Sequence, residues 1–237
     1  MKSTVPYEEI RRIITVDHHD PFQVLGAHVV NIDGKNVVAV RAFLPDASEA
    51  MVVEDRNGRR EFQMQKIDDH GFFESLIFDW YDVLPYQLKK KSATGEAEII
   101  HDPYSFLPTL TDFDLYLFNA GDHHRIYEKL GAHPMEVNGV KGVQFAVWAP
   151  NARSVSVVGD FNNWDPRRHA MRVLGGSGVW EIFIPDLHEG SLYKFQIKTQ
   201  NGQLLDKADP YAFEMEHRPR TASRINFLGN YEWGDHA

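Results

Sequence analysis

The chain repeats itself once along its length. The motif "LGAH" occurs at 25–28 and again at 130–133. The segment "VRAFLPDASEAMVVED" (40–55) aligns with "FAVWAPNARSVSVVGD" (145–160), an offset of 105 residues. That period is far too long for a solenoid, but each copy is long enough to form a domain. The sequence therefore predicts a tandem duplication of one fold.

The alignment continues to the end of each copy with a small change of spacing. "DPYSF" (102–106) aligns with "DPYAF" (209–213), and here the offset is 107 residues. The second copy therefore gains two residues, and it gains them between Asp160 and Gly178. Positions that agree between the copies are candidates for residues that maintain the fold. Positions that differ can serve a function that is specific to one copy.

Short apolar runs separated by turn residues fill the chain after Asp20. The runs are rich in Val, Phe, Ile and Tyr, and turn signals such as "DGKN", "DRNG" and "DDHG" lie between them. In the first copy these runs are 36–44, 50–55, 60–65, 71–78 and 85–90. Such a pattern is typical of antiparallel all-β domains. We therefore predict an all-β fold of two tandem immunoglobulin-like antiparallel β-sandwiches.

Two short helices are expected outside the sandwiches. The first covers about residues 5–15, where Ser3 or Thr4 can cap it and three isoleucines form one apolar face. The second lies in the linker 111–133, whose early part, 113–118, is apolar enough to dock as a helix or turn. Both are expected to pack on the neighbouring sandwich.

The repeat also predicts the domain boundaries. We expect the first sandwich over 1–110, the linker over 111–133 and the second sandwich over 134–230. Residues 231–237 are expected to be a tail that leads to a further part of the protein.

Composition excludes several classes of function. The 237 residues carry a formal net charge of −9, so neither a nucleic acid nor an anionic membrane is an expected partner. The chain has no cysteine, which excludes disulfides and cysteine-rich zinc sites. The N-terminus, "MKSTVPYEEIRRII", has no apolar signal region, and no window approaches about 18 apolar residues. We expect a cytoplasmic protein.

No cofactor, metal or catalytic residue is expected. The adjacent pairs His18-His19 and His123-His124 do not suit a metal, because neighbouring side chains in a strand point apart and no third ligand at metal-binding spacing is evident. No P-loop, G-x-G-x-x-G or G-x-S-x-G motif occurs. The run "GGSG" (175–178) is predicted to be a turn, since no helix pattern follows it.

Shared tyrosines are predicted to serve the scaffold. Tyr86 aligns with Tyr193, and Tyr104 aligns with Tyr211. We expect the second pair to pack at a sandwich edge, with hydroxyls bonded to backbone groups.

The copies differ most in one turn. Where the first copy has "EDRNGRRE", the second has "GDFNNWDPRRH", which adds Phe161, Asn162, Asn163 and Trp164. Lys194 also replaces a glutamine of the first copy. A sugar ring stacks its C–H face on an aromatic ring, and its hydroxyls need directional partners such as amides and ammonium groups. These five residues are therefore candidates for binding a neutral polyhydroxylated ligand.

A second interpretation of Trp164 remains open. The ring can turn inward and cover the end of the sandwich core, since tryptophan is highly buried on average. Both interpretations hold together if one ring face packs and the other is open.

Each copy resembles a known domain family. In the second, "FAVWAPNARSVSVVGDFNNWD", "GVWEIFIPDLHEGSLYKFQI" and "DKADPYAFE" are similar to the starch/glycogen-binding module that precedes the catalytic barrel in glycogen branching enzymes and their debranching relatives. In the first, "DPFQVLGAHVV", "VRAFLPDA" and "HDPYSFLP" resemble the extra N-terminal domain of bacterial 1,4-α-glucan branching enzymes. The resemblance covers roughly 17–225, and the tandem arrangement narrows it to the branching enzymes.

The resemblance implies which residues hold glucan. Such modules carry α-glucan on the Trp of a Phe-Asn-x-Trp turn and on the Lys of a Tyr-Lys-Phe strand, which match Trp164 and Lys194. The best glycogen-binding members add a second Trp shortly after that Lys, whereas "NGQLL" here places Leu204 or Leu205 in its position. We therefore expect weak affinity for α-glucan or a mainly architectural role.

The resemblance also implies where the chemistry lies. Branching enzymes are retaining transglycosylases, which need two carboxyl groups about 5–5.5 Å apart, held at the ends of barrel strands. In the family the barrel follows these two modules, and no alternating βαβ pattern occurs here before "NYEWGDHA". We expect no branching activity from this chain alone, and we expect its partners to be α-glucan and the catalytic barrel of the same polypeptide.

Two other roles compete with glucan binding. Both sandwiches can be architectural, with the first limiting how the donor chain reaches the barrel. The chain can also be a regulatory interaction module, since related modules occur as subunits of a glycogen-sensing kinase. The duplicated copy and the "LGAH" motif argue against that third role.

Overall fold

The fold consists of two compact units in a computed structural model that describes residues 3–54 and 60–226. Unit 1 holds the residues up to Leu107 together with Pro166–Arg172. Unit 2 holds Pro108–Asp165 together with the residues from Val173 onward. Antiparallel strands dominate both units, which confirms the predicted all-β class with immunoglobulin-like sandwiches.

Unit 1 is an antiparallel sandwich whose sheet bends at one strand. Its strands are β1 (Gly26–Ile32), β2 (Lys35–Phe43), β3 (Ala47–Glu54), β4 (Arg60–Asp68), β5 (Phe72–Ile77), β6 (Tyr86–Ser92) and β7 (Ala97–Ile100). They are hydrogen-bonded in the order β1-β2-β5-β4-β3-β6-β7. The first half of β4 pairs with β3 and its second half pairs with β5, so β4 passes from one layer to the other. The core side chains include Val38, Val40, Val52, Phe73, Trp80 and Leu88.

The N-terminal helix is present, but its predicted cap is wrong. Helix α1 covers Tyr7–Ile14, and Pro6 occupies the cap position with no side-chain hydrogen bond to the helix. Thr4 is engaged elsewhere, because its backbone N–H donates to Glu74 Oε2 at 3.1 Å. Ser3 Oγ accepts from the N–H of Val5, which lies before the helix. The cap prediction failed because a tertiary contact competes for these residues.

A buried ion pair holds the N-terminal segment on the sheet. Arg41 on β2 and Glu74 on β5 are both buried, and Arg41 Nε donates to Glu74 Oε1 at 3.0 Å. The same guanidinium donates to Val24 O at 3.1 Å and to Thr4 Oγ1 at 2.7 Å. Burial lowers the pKa of Arg41, and the Glu74 carboxylate opposes this shift. The cluster joins the sheet to two points of the preceding chain.

A segment of the second copy completes unit 1. Residues 166–172 lie in unit 1, although the predicted second sandwich spans 134–230. The Tyr104 hydroxyl accepts from the Ala170 N–H at 3.1 Å, which confirms its predicted backbone partner. The Arg172 guanidinium lies 3.8 Å from the centre of the Phe22 ring. These contacts arise only in the folded unit, so the alignment of the two copies does not reveal them.

The repeated motifs of unit 1 contact one another. Gly26 of "LGAH" has a φ of +90°, and a Cβ at this position would lie 2.6 Å from Tyr104 O. Asp102 accepts hydrogen bonds from the Tyr104 N–H at 2.9 Å and from the Tyr86 hydroxyl at 2.6 Å. Burial raises the pKa of Asp102 to about 6. The first-copy motifs are therefore structural, as predicted.

Unit 2 repeats this arrangement. Asp209 accepts from the Tyr211 N–H at 2.8 Å and from the Tyr193 hydroxyl. Gly131 has a φ of +108°, and a Cβ there would lie 3.1 Å from Tyr211 Cβ. The predicted scaffold role of Tyr193 is thus confirmed by the same geometry as in the first copy.

Two sheets form the sandwich of unit 2. Its strands are β8 (Gly131–Val137), β9 (Val140–Trp148), β10 (Ala152–Gly159), β11 (Arg172–Val173), β12 (Val179–Pro185), β13 (Leu192–Thr199), β14 (Leu204–Lys207), β15 (Glu214–Met215) and β16 (Ser223–Arg224). One sheet has the order β11-β12-β9-β8; the other has the order β10-β13-β16-β15, with β14 paired to β13. Buried core side chains include Phe145, Val157, Ile182 and Phe195.

The linker forms the predicted helix. Helix α2 covers Asp112–Ala120, and its side chains Leu115 and Phe118 pack on a buried apolar cluster of unit 2. Thr111 and Asp114 form a reciprocal capping box. Partial burial alone raises the pKa of Asp114, but hydrogen bonds led by that of Thr111 outweigh it and hold the pKa at about 2.

Some predicted features lie outside the described residues. Asp55, which aligns with Asp160, and most of the first copy's counterpart of the Trp164 turn fall on 55–59. The predicted tail 231–237 also lies outside them.

Candidate functional site

The turn that distinguishes the second copy follows directly from a buried strand. β10 ends at Gly159, and a 3₁₀ turn covers Asp160–Asn162. The next two residues, Asn163 and Trp164, have φ values of 56° and 57°. The Trp164 N–H donates back to Gly159 O at 2.9 Å and closes the turn. The sequence therefore presents Trp164 from a tight and well-defined loop.

Two consecutive residues in the left-handed region are unusual without glycine. Asparagine tolerates this conformation, whereas tryptophan adopts it at a cost on the order of 1–3 kcal/mol. Such strain persists only where the surrounding hydrogen bonds hold it, as those of Trp164 and Asp165 do here. The observed strain at Trp164 motivates a functional role for its side chain.

The prediction that Asn162 binds a ligand together with Asn163 is wrong, because the Asn162 side chain is buried. Its side chain is 1% exposed. Oδ1 accepts from the Gly159 N–H at 2.9 Å, and Nδ2 donates to Val157 O at 2.9 Å. The amide is therefore committed to holding the turn on β10, and Asn162 is not part of the surface that a ligand can reach.

Phe161 anchors the same turn on the core. Its ring is half-buried and stacks on Phe145 with centroids 6.5 Å apart and planes 27° apart. A Cβ at Gly159 would lie only 2.4 Å from a Phe161 ring carbon, so this close approach requires glycine. Most of the Phe161 ring serves packing, and only its exposed part remains for a ligand.

Trp164 and Asn163 remain at the surface. Trp164 is 41% exposed, and Asn163 is exposed. The interpretation of Trp164 as a fully buried core plug does not fit this exposure. One part of the indole packs on the protein, and another part is accessible to solvent.

Lys194 reaches the same end of the sheet through strand pairing. It lies on β13 opposite Val158, next to the pair formed by Gly159 and Tyr193. Its ammonium donates to Thr221 Oγ1 at 2.9 Å. The pairing of β10 with β13 therefore brings Lys194 beside the strand end from which the Trp164 turn departs.

The register of β14 resolves which leucine shares this face. Leu204 pairs with Lys198 and Leu205 pairs with Ile197. Because side chains alternate along β13, Lys198 lies on the face of Lys194 and Ile197 lies on the other. Leu204 is 57% exposed on that face. It is therefore Leu204, and not Leu205, that takes the position where the best glycogen-binding modules have a second Trp.

The same face carries polar groups that the sequence analysis missed. Gln196 follows Lys194 by two residues and donates to Asp206 Oδ1 at 3.0 Å. The alternation of β13 could have identified Gln196, since it is two positions from Lys194. Thr221 lies in an irregular loop with no pattern that indicates it. Lys194, Gln196 and Leu204 thus share one face of the sheet, and the turn that carries the exposed Trp164 indole and Asn163 amide departs from the strand end beside Lys194.

Replacing Asn162 with alanine should destabilise unit 2 by about 2–6 kcal/mol. Two buried backbone groups, Gly159 N–H and Val157 C=O, lose their partner, and each unsatisfied group costs about 1–3 kcal/mol. Urea-induced unfolding measures this loss. The matched variant Asn163→Ala, which changes an exposed neighbour, should lose far less, and equal losses in both would contradict the structural role of Asn162.

Family comparisons identify both domains. Residues 6–104 match the N-terminal domain of the alpha-1,4-glucan branching enzyme GlgB, and residues 129–212 match carbohydrate-binding module 48 (isoamylase N-terminal domain). The chain corresponds to the N-terminal region of the GlgB family. The two family domains follow each other in the order that the resemblance of the two copies implies.

Relatives of known family agree with this identification. The 1,4-alpha-glucan branching enzyme GlgB of Trichormus variabilis is 52% identical over 234 residues, which cover 98% of this chain and 30% of the relative. The GlgB of Synechocystis sp. is 49% identical over 237 residues, 99% of this chain and 30% of the relative. The chain thus spans about 30% of the length of these GlgB relatives.

A solved structure is also similar to part of the chain. The pullulanase type I from Bacillus subtilis, complexed with maltose, matches over 88% of this chain and 27% of its own chain. The sequence identity is 17% and the TM-score is 0.37.

Two other features are absent from the part of the chain that the structure describes. Within 3–54 and 60–226, no group of three or more His, Asp or Glu side chains is arranged to hold a metal ion. No helix within that part of the chain is long and apolar enough to cross a membrane.

Proposed function

We propose that this N-terminal GlgB region binds α-glucan on the surface formed by Trp164, Asn163 and Lys194. The observation that supports the proposal most is the strained, partly exposed Trp164, presented by a turn that the buried Asn162 side chain holds on β10. A sugar ring stacks on the open part of the indole, while Asn163 and the Lys194 ammonium bond its hydroxyls. The match to carbohydrate-binding module 48 supports the same ligand class.

The site is expected to bind weakly. Leu204 supplies apolar contact on the face of Lys194 but has no ring to stack on a second sugar. A single stacking platform contributes roughly 0.5–1.5 kcal/mol beyond the area it buries. Weak binding suits a domain that works beside a catalytic partner, because attachment to that partner raises the local glucan concentration.

We further propose that the region serves a branching enzyme. The parent protein would continue into a retaining transglycosylase barrel, and these domains would hold or position glucan chains for it in the cytoplasm. The identity to GlgB relatives over nearly the whole chain supports this assignment. The alternative role, in which both sandwiches only limit access of the donor chain, requires no affinity for glucan.

Calorimetric titration separates binding from the architectural role. Maltoheptaose should give a saturable heat with the chain, whereas cellohexaose, a β-linked glucan of similar composition, should give none. The same titrations with Lys194→Ala should show weaker binding of maltoheptaose, because one hydrogen-bond donor to the sugar is removed. No heat with maltoheptaose, or equal heats with both glucans, would support a purely architectural role.

A further inference from the structure

A groove on unit 1 is independent of the Trp164 surface. It lies on the outer face of β4 and β5 and has a volume of ≈ 210 Å³. Its lining includes Gln63, Gln65, Ile67, Glu74, Leu76 and Phe78. Gln63 and Gln65 alternate along β4, and Glu74 and Leu76 alternate along β5, so these four side chains point to the same face of the sheet. Phe78 follows the end of β5 directly, and Ile67 lies at a register shift of β4.

The lining combines apolar surface with free hydrogen-bonding groups. Phe78 is 56% exposed at the end of the groove. Gln65 pairs with Glu74 across the strands, and its exposed amide hydrogen-bonds to none of the described side chains or backbone groups. Leu76 and Ile67 provide apolar surface between these polar positions. A ligand that offers both hydroxyls and C–H faces matches this pattern.

The charges at the groove are paired within the protein. Glu74 is bonded to the buried Arg41, and Glu61, two residues before Gln63 on the same face, is bonded to Lys89 at 3.0 Å. Since each of these carboxylates has its own cation, the described lining residues of the groove offer no unpaired charge for an ionic ligand. The expected ligand is therefore neutral.

The position of the strands excludes another mode of binding. β4 and β5 both lie inside the sheet and are paired on both sides. Their backbone groups are used in the ladder, so an extended peptide cannot add to them as a further strand. Side chains alone must hold the ligand, which favours a compact ring with hydroxyls over a peptide backbone.

We propose that the β4–β5 groove of unit 1 is a second binding site for a neutral oligosaccharide. One sugar ring fits above Leu76 between the two glutamines, and the next ring lies on Phe78. The Gln65 amide bonds hydroxyls of the first ring, and so does Gln63 Oε1 as an acceptor, because the Gln63 Nε2 group already donates to Ala50 O at 3.3 Å. The volume is below the roughly 300–1,000 Å³ of sites for larger ligands, so the groove holds a short stretch of chain.

The test uses the full chain with Trp164→Ala, so that the Trp164 surface does not contribute. NMR follows the side-chain amide signals of Gln63 and Gln65 during titration with maltotriose. Both signals should shift and saturate. Adding Phe78→Ala should weaken this binding by about tenfold or abolish it, and adding Gln65→Ala should weaken it as well. The matched variant Phe113→Ala, which removes an exposed ring of α2, should leave the titration unchanged.

Three results would overturn the proposal. They are unmoved glutamine signals at saturating maltotriose, equal binding with and without Phe78, and equal shifts caused by glycerol at the same concentration. In the wild-type chain the Trp164 indole signal reports on the other surface. Failure of the groove and failure of the Trp164 site are therefore separately visible.

Discussion

Replacing Arg41 with alanine should lower the free energy of unfolding of unit 1 by about 3–5 kcal/mol, the usual loss when one partner of a buried ion pair is removed. The substitution leaves the Glu74 carboxylate buried without its cation. It also removes donors from Val24 O and Thr4 Oγ1, which hold the N-terminal segment. Urea-induced unfolding measures the loss.

An exposed ion pair provides the control for this prediction. Arg12 on α1 pairs with Glu9 at 3.2 Å, and its side chain is largely open to solvent. Exposed pairs contribute about 0–1 kcal/mol, so Arg12→Ala should change the unfolding free energy by no more than that. If Arg41→Ala were as mild as Arg12→Ala, the buried pair would not be what holds the N-terminal segment.

Replacing Trp164 with alanine should weaken retention on an amylose gel about tenfold. Losing one stacked ring removes roughly 1.4 kcal/mol of binding free energy, which corresponds to that factor. The free energy of unfolding should fall far less than the about 3–5 kcal/mol that truncation of a buried tryptophan costs, because the ring is 41% exposed.

Two further variants sharpen the test of Trp164. Trp164→Gly should lose retention equally but be more stable than Trp164→Ala, because glycine adopts the observed φ of 57° without strain. Trp148→Ala removes a more exposed indole of the same unit and should leave retention unchanged. Retention that survives Trp164→Ala, or that falls equally with Trp148→Ala, contradicts the proposed site.

The duplication made the scaffold predictable from the sequence. Gly26 and Gly131 recur because each lies against the tyrosine turn of its own unit, and Asp102 recurs as Asp209 because each caps such a turn. The same arrangement of glycine, aspartate and tyrosine occurs in both units, so the same residue types recur in both copies. The sequence alone therefore assigns these motifs to the fold.

The sequence did not predict which residues of the Trp164 turn are buried and which are exposed. Sequence composition treats Asn162 and Asn163 alike, since both are amides that suit a sugar. The 3₁₀ turn buries the first and exposes the second, and that choice depends on the β10 backbone groups that need partners. The pairing of β14 with β13 likewise determines that Leu204, and not Leu205, lies on the face of Lys194. Residue spacing in the sequence does not reveal this register.

The contribution of 166–172 to unit 1 was also hidden from the alignment. The segment lies near the two-residue gain that distinguishes the second copy, and its Ala170 bonds to Tyr104. The aligned residues of the first copy lie mainly on β4 and give no sign of such a contact, so the comparison of copies does not reveal it. Its placement depends on long-range contacts that form only on folding.

The indole N–H signals of the wild-type chain during titration with maltoheptaose test the central claim most directly. Trp164 and Trp148 are both partly exposed in unit 2, so both are open to a ligand and each serves as the other's control. The Trp164 signal should shift and saturate while the Trp148 signal stays in place. An unmoved Trp164 signal at saturating maltoheptaose, or a shift of Trp148 alone, would contradict that claim.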